Sequence, residues 1–230
     1  MSIQLVVIAG GKGTRLGNVS KTLPKSLIPV ANKPFLDHQL SLIRRWGVDR
    51  ILFCLGHLGN EIRDFLSRYE SNLEFNISFE GETPKGTGGA LLNAWEKLEE
   101  QFAVVYGDSY LLLDFEEAFE DFKSSKESLM CVARSPYFDC PNNVNVESGF
   151  ISQYSKATIK SEFRYLDYGL IFFKKFELEK FKSRVSFDLS EILELLIKNR
   201  SLRARVLEDE FYEVGTERGI KRLEEFLSKV

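Results

Sequence analysis

Short apolar runs alternate with stretches of helical periodicity from the first residues onward. Leu5-Val6-Val7-Ile8-Ala9 is apolar without interruption, which predicts a strand over 4–9 buried on both faces, as at the centre of a parallel sheet. Phe35, Leu36, Leu40, Leu42 and Ile43 keep a helical stripe, with Pro34 as its first helical position and Gly47 as its stop. Strands are expected over 51–55, 76–80 and 102–106, and helices over 61–69 and 87–98. Strand and helix in alternation, with short connections, imply a sheet covered on both faces. The fold class is α/β: a mainly parallel sheet flanked by helices. Ligands of such sheets sit beyond the carboxyl ends of the strands.

The rhythm changes after about residue 140. Asn145 to Ile151 reads as a hairpin about Ser148-Gly149, and Tyr165 to Phe173 as a further strand. Leu189 to Lys198 and Glu217 to Leu227 read as helices, the second capped by Thr216. Phe187-Asp188-Leu189-Ser190-Glu191 is a helix start. The second half is thus expected to add a small antiparallel part and a terminal helix that close over the rim. With no internal repeat or linker, 1–230 reads as one domain, in a first half of about 1–140 and a second of about 141–230.

Composition narrows the class. A net charge of −3 argues against a nucleic-acid polymer as partner. No apolar run approaches a membrane span, and the N-terminus lacks the pattern of a signal peptide. Three widely spaced cysteines, Cys54, Cys131 and Cys140, read as reduced thiols of a cytoplasmic protein. Against this mildly acidic background, residues 1–36 hold Lys12, Arg15, Lys21, Lys25 and Lys33 and not one Asp or Glu. The excess surrounds a glycine-rich turn, Gly10-Gly11-Lys12-Gly13-Thr14-Arg15, at the end of the first strand. Bare backbone N–H groups and fixed cations in that place suit a polyphosphate. The turn matches neither the dinucleotide pattern nor the Walker pattern. Leu23-Pro24-Lys25-Ser26-Leu27-Ile28-Pro29-Val30 follows, and its prolines hold Lys25 on a stiff segment near the turn.

G-G-x-G-T-R-L followed by P-K-x-L-x-P-V-x-x-K-P resembles the opening motif of the sugar-1-phosphate nucleotidylyltransferases (nucleoside diphosphate sugar pyrophosphorylases), and further matches run to the C-terminus. The resemblance implies a nucleotide-diphospho-sugar transferase fold, a Rossmann-like mixed sheet with a nucleotide-binding half over about 1–140 and a sugar-binding half over about 141–230, and a Mg²⁺-dependent reaction. In that reaction a nucleoside triphosphate and a sugar 1-phosphate give a nucleotide-diphosphate sugar and pyrophosphate. The short chain and its G-T-G-G loop look most like the heptose/mannose 1-phosphate guanylyltransferase branch, without the β-helix tail of longer members. Such a transfer needs charge neutralisation and in-line positioning rather than a base. The two histidines, His38 and His57, accordingly receive no role.

By resemblance, Arg15 and Lys25 are the catalytic residues. Arg15 would stabilise departing pyrophosphate, and Lys25 the α-phosphate with the incoming sugar phosphate. Ala9, Gly10, Gly11, Gly13 and Thr14 would cradle the nucleotide. Glu82, Pro84, Gly86, Thr87 and Gly88 belong to a segment that resembles the base-reading loop. A carboxylate at Glu82 can accept both N1–H and N2–H of guanine, which favours GTP. Asp108, in Tyr106-Gly107-Asp108, matches the metal-binding Asp at a strand end. Phe211-Tyr212-Glu213-Val214-Gly215-Thr216 stands where the family has W-x-D-x-G-T, so Glu213 replaces the second metal Asp and extends the carboxylate by about 1.5 Å. Asn143, Lys156 and Asp167 would contact the sugar phosphate, although the E-K-P around the family lysine is here Tyr154-Ser155-Lys156 with no following Pro. Asp167 reads equally as a strand cap. Uridylyl, thymidylyl or cytidylyl transfer to another phosphorylated acceptor, a non-catalytic nucleotide-sugar sensor, and a homo-oligomer all stay open.

Overall fold

Leu5 and Val7 of β1 (Gln4–Ala9) enter one apolar core, and Val6 and Ile8 enter another, so the first strand is buried on both faces. The computed structural model describes residues 3–11, 22–81, 83–134, 141–156 and 161–229. After β1 come a two-residue hairpin, β2 (Pro29–Val30) and β3 (Lys33–Pro34), then α1 (Phe35–Arg45) and β4 (Arg50–Leu55). Next are α2 (Gly59–Leu66), β5 (Glu74–Phe79), α3 (Gly86–Asn93), β6 (Gln101–Tyr106) and β7 (Ser109–Leu111). The chain continues through α4 (Phe115–Lys123), β8 (Ser128–Arg134), β9 (Val144–Glu147), β10 (Phe150–Tyr154) and β11 (Tyr165–Lys174). It closes with α5 (Leu189–Lys198), β12 (Leu202–Leu207), β13 (Phe211–Glu213) and α6 (Glu217–Leu227).

Among the described residues, nine strands form one mixed sheet in the order β5-β4-β1-β6-β11-β8-β12-β10-β9. The first four are parallel, and β11 runs antiparallel to both β6 and β8. The sheet is therefore continuous across the two halves. β9 also meets β11, so the last five strands curl back on themselves and hide an edge. The opposite edge, β5, is exposed. There Lys97 and Asn93 donate to the carbonyls of Ile77 and Phe79 and blunt it.

Several boundaries differ from the expectations. Pro34 lies before α1 as its N-cap, because it is still paired with Pro29 in the small hairpin. The helix expected over 87–98 ends at Asn93, and a tighter 3₁₀ turn, Trp95–Lys97, carries Lys97 to the edge strand. α2 begins at Gly59, two residues early, behind Leu58 in the left-handed region. α4, β8 and β12 are additional to the expected elements. Their signals are in the sequence: Leu129 to Ala133 is an unbroken apolar run, and Phe115, Ala118, Phe119 and Phe122 keep helical spacing behind the N-cap Asp114. Among the described residues, Cys54 and Cys131 are unpaired and buried, and burial pushes both thiols up to about 12, so they are inert core groups. Cys140 lies outside the described residues. No described helix is long and apolar enough to cross a membrane.

Candidate active site

The carboxyl ends of β1 and β6, the end of β10 and the start of β11 open onto one cleft of about 430 Å³. Ala9 and Gly11 line it where β1 stops, and Asp108 lies just beyond β6. Lys25 belongs to a single 3₁₀ turn, Lys25–Leu27, that the preceding Pro24 enters in extended conformation. Its Nζ donates to Asp108 Oδ2 at 2.8 Å, with side-chain exposures of 16% and 25%. A partly exposed pair contributes on the order of 1 kcal/mol, so an anionic ligand can draw Lys25 away at small cost. Glu213 lines the same cleft from β13, whose register sets it opposite Ser109 of β7. The N–H of Val214 then bonds the carbonyl of Asp108 at 2.9 Å, tying the two carboxylate-bearing turns together. Among the described residues no group of three or more His, Cys, Asp or Glu forms a closed metal cage. Two carboxylates on an open cleft fit Mg²⁺, which keeps several waters and takes further oxygens from phosphates.

On the far wall, Asp167 sits where β11 breaks register between Asp167 and Ile171. Gly169, at φ +88°, makes that bulge possible, and its N–H returns to Asp167 Oδ1 at 2.9 Å. Tyr154 donates its hydroxyl to Asp167 Oδ2 at 3.4 Å. The Asp167 N–H bonds Asn143 Oδ1 at 2.9 Å, so Asn143, Tyr154 and Asp167 form one polar wall. Burial pushes the Asp167 carboxyl up to about 6, against the pull of Gly169, Tyr154 and Lys156. Lys156 lines the cleft but pairs with Asp188 Oδ2 at 2.7 Å, and that pairing holds Asp188 below the usual carboxylate range against the opposing effect of its burial.

Gly13, Thr14, Arg15 and Glu82 lie outside the described residues. Of the described residues expected at the nucleotide, Ala9, Gly11 and Thr87 line the cleft, whereas Gly10, Pro84, Gly86 and Gly88 are not among its lining. Pro84 is exposed. Gly10 is pressed against a buried carboxylate, Glu80, and a Cβ there would stand 2.5 Å from Glu80 Oε1. Gly86 and Gly88 face the segment before α5: a Cβ on Gly86 would meet the Phe187 carbonyl at 2.4 Å, and one on Gly88 the Phe187 ring at 2.3 Å. The lack of a Cβ lets the segment before α5 approach closely, and the N–H groups of Gly88 and Gly89 both bond the Phe187 carbonyl, at 3.1 and 3.2 Å. Thr87 joins the two roles, lining the cleft while its Oγ1 accepts the Leu189 N–H at 2.9 Å.

Among the residues that escape sequence reasoning are Tyr154 and Ser26, which line the cleft, and Glu80 and Gln39, which do not. Glu80 accepts the Lys85 N–H at 2.9 Å and so shapes the loop before α3. The only sequence signal for Gln39 is an amide within the apolar stripe of α1.

The family model described as nucleotidyl transferase matches residues 4–142. D-glycero-alpha-D-manno-heptose 1-phosphate guanylyltransferase of Campylobacter jejuni is 24% identical over 216 residues, covering 93% of this chain and 95% of that protein. The protein of the same name from Aneurinibacillus thermoaerophilus is 33% identical over 128 residues, 55% of each chain. The structure is similar to the crystal structure of HddC from Yersinia pseudotuberculosis complexed with GMP-PN. The TM-score is 0.83 at 25% identity, over 98% of this chain and 99% of that one.

Proposed function

Since the chain belongs to the nucleotidyl transferase family, we propose that it transfers a nucleotidyl group from a nucleoside triphosphate to a sugar 1-phosphate, giving a nucleotide-diphosphate sugar and pyrophosphate. The observation that carries this reading is the meeting of Lys25 and Asp108 at 2.8 Å on one cleft, with Glu213 on the same rim. An oxygen of the sugar phosphate, already anionic at neutral pH, attacks the α-phosphorus. The new P–O bond forms as the bond to the β-phosphate oxygen breaks, and the electron pair leaves with pyrophosphate. Lys25 holds charge at the α-phosphate and orients the incoming phosphate, a task for a fixed cation rather than for a base. Arg15 takes the same part for pyrophosphate.

Asp108 and Glu213 would hold Mg²⁺, which neutralises the triphosphate when bound. Asn143, Tyr154 and Asp167 supply hydroxyl-bonding groups to a sugar ring, and Lys156 exchanges Asp188 for the sugar phosphate. GTP as nucleotide, and a heptose or hexose 1-phosphate as acceptor, draw support from the names of the two relatives and from the GMP-PN held by the similar structure.

A panel of four triphosphates against several sugar 1-phosphates, read by pyrophosphate release with Mg²⁺, tests this. GTP with a manno-configured heptose or hexose 1-phosphate should turn over fastest. A preference for UTP, dTTP or CTP would overturn the base assignment. Binding with no release under any pairing would favour a sensor on the same fold.

A further inference from the structure

We propose that Gln39 is a positioning residue for Asp108, acting with Ser26 to fix the turn that aims this carboxylate into the cleft. The inference rests on the transfer reading above, in which Asp108 holds the triphosphate's cation. Between β6 and β7 the chain reverses over Gly107 and Asp108. Four consecutive carbonyls cross that reversal, and each is taken by a donor from elsewhere in the chain. Gln39 Nε2 donates to both Tyr106 and Ser109, at 2.9 and 2.8 Å, and so staples the two ends of the turn. Ser26 Oγ donates to Gly107 at 2.7 Å, and the Val214 N–H to Asp108 at 2.9 Å.

Gln39 is 2% exposed, in a helix face it shares with the fully buried Leu36, Leu40 and Ile43. Among the described residues its buried Oε1 finds no hydrogen-bond partner, which is a cost. An apolar side chain would fill the space without that penalty, so the amide is explained by its two donors and the carbonyls they hold. Ser26 adds a second constraint. It adjoins Lys25, so the hydroxyl that fixes Gly107 also sets the register of Lys25 against Asp108.

Without the Gln39 donors, the carbonyls on both sides of Asp108 are released to rotate toward other partners. The carboxylate then loses its fixed direction. Outer partners of metal ligands typically affect metal affinity by about 10–100-fold.

The test is a Mn²⁺ titration by electron paramagnetic resonance, with a non-hydrolysable GTP analogue present, on the full chain. The wild type should bind Mn²⁺ and Asp108→Asn should not. Gln39→Met, similar in length but without donors, should bind Mn²⁺ about tenfold more weakly or worse. The metal concentration for half-maximal pyrophosphate release should rise in parallel, while the KM for the sugar 1-phosphate stays near that of the wild type. Ser26→Ala should shift metal affinity in the same direction by less, and decides the matter where Gln39→Met does not fold. Wild-type Mn²⁺ affinity in the folded variant would overturn the positioning role alone. Mn²⁺ binding undiminished in Asp108→Asn would overturn the transfer reading and this inference with it.

Discussion

Asp167 combines exposure to the cleft with a carboxyl that burial pushes from its ordinary 3.8 up to about 6. A native state that holds this proton more tightly than the unfolded chain gains stability below the unfolded value. That gain is lost as pH rises through the native one. Asp167→Asn cannot ionise, so it should raise the melting temperature at pH 7.5, and the advantage should shrink as pH falls through about 6 and be gone only well below 3.8. Calorimetry at several pH values checks the sign. In the proposed reaction the same change should raise the KM for sugar 1-phosphate, since a site that binds hydroxyls accepts strain for it. Lys25 and Asp108 were legible as single residues because each sits at a fixed offset in a motif. Gln39 was not, because an amide within an apolar stripe does not say which carbonyls it will meet.

The junction of α3 with α5 shows where element-level reading succeeds and where it stops. Both helices follow from periodicity, and the α5 start carries its capping box, with Asp188 accepting the Ser190 N–H at 3.0 Å. The glycines before and within α3 signalled a close approach, but a Gly-Thr-Gly-Gly run looks the same whether a ligand or a side chain lies against it. Here the occupant of Gly88 is Phe187. Gly88→Ala should cost about 1–3 kcal/mol through overpacking, measured by chemical denaturation. Adding Phe187→Leu should recover part of the loss. A Gly88→Ala variant as stable as the wild type would show that α3 and α5 are not in this contact. The bulge at Gly169 is the comparable case in β11: a glycine within a strand suggests a bulge, yet only pairing with β8 shows that it turns Asp167 toward the cleft.

For the whole molecule, stability and chemistry occupy different places. Apolar clusters fill both faces of the sheet, whereas Asp108 and Glu213 stand on its rim. Removing divalent metal with a chelator should therefore abolish pyrophosphate release and leave the thermal midpoint unchanged, unlike a small domain folded around its metal. Thermal melts with and without chelator, beside the activity assay, check this. A large fall in the midpoint would mean that the rim carries part of the folding energy.

Short-range information carried the strands β1, β4 and β6, the helix α1, the basic opening and the motifs that point to phosphoryl chemistry, because periodicity and spacing act over a few residues. The tertiary structure alone decided which groups meet. Gln39 reaches carbonyls 67 and 70 residues away, Ser26 one 81 away, and Lys25 a carboxylate 83 away. Those distances are set by the order of strands in the sheet, and no local propensity encodes that order. The assignment of the α3 glycines to Phe187 was decided in the same way, by two helices laid side by side from segments about a hundred residues apart.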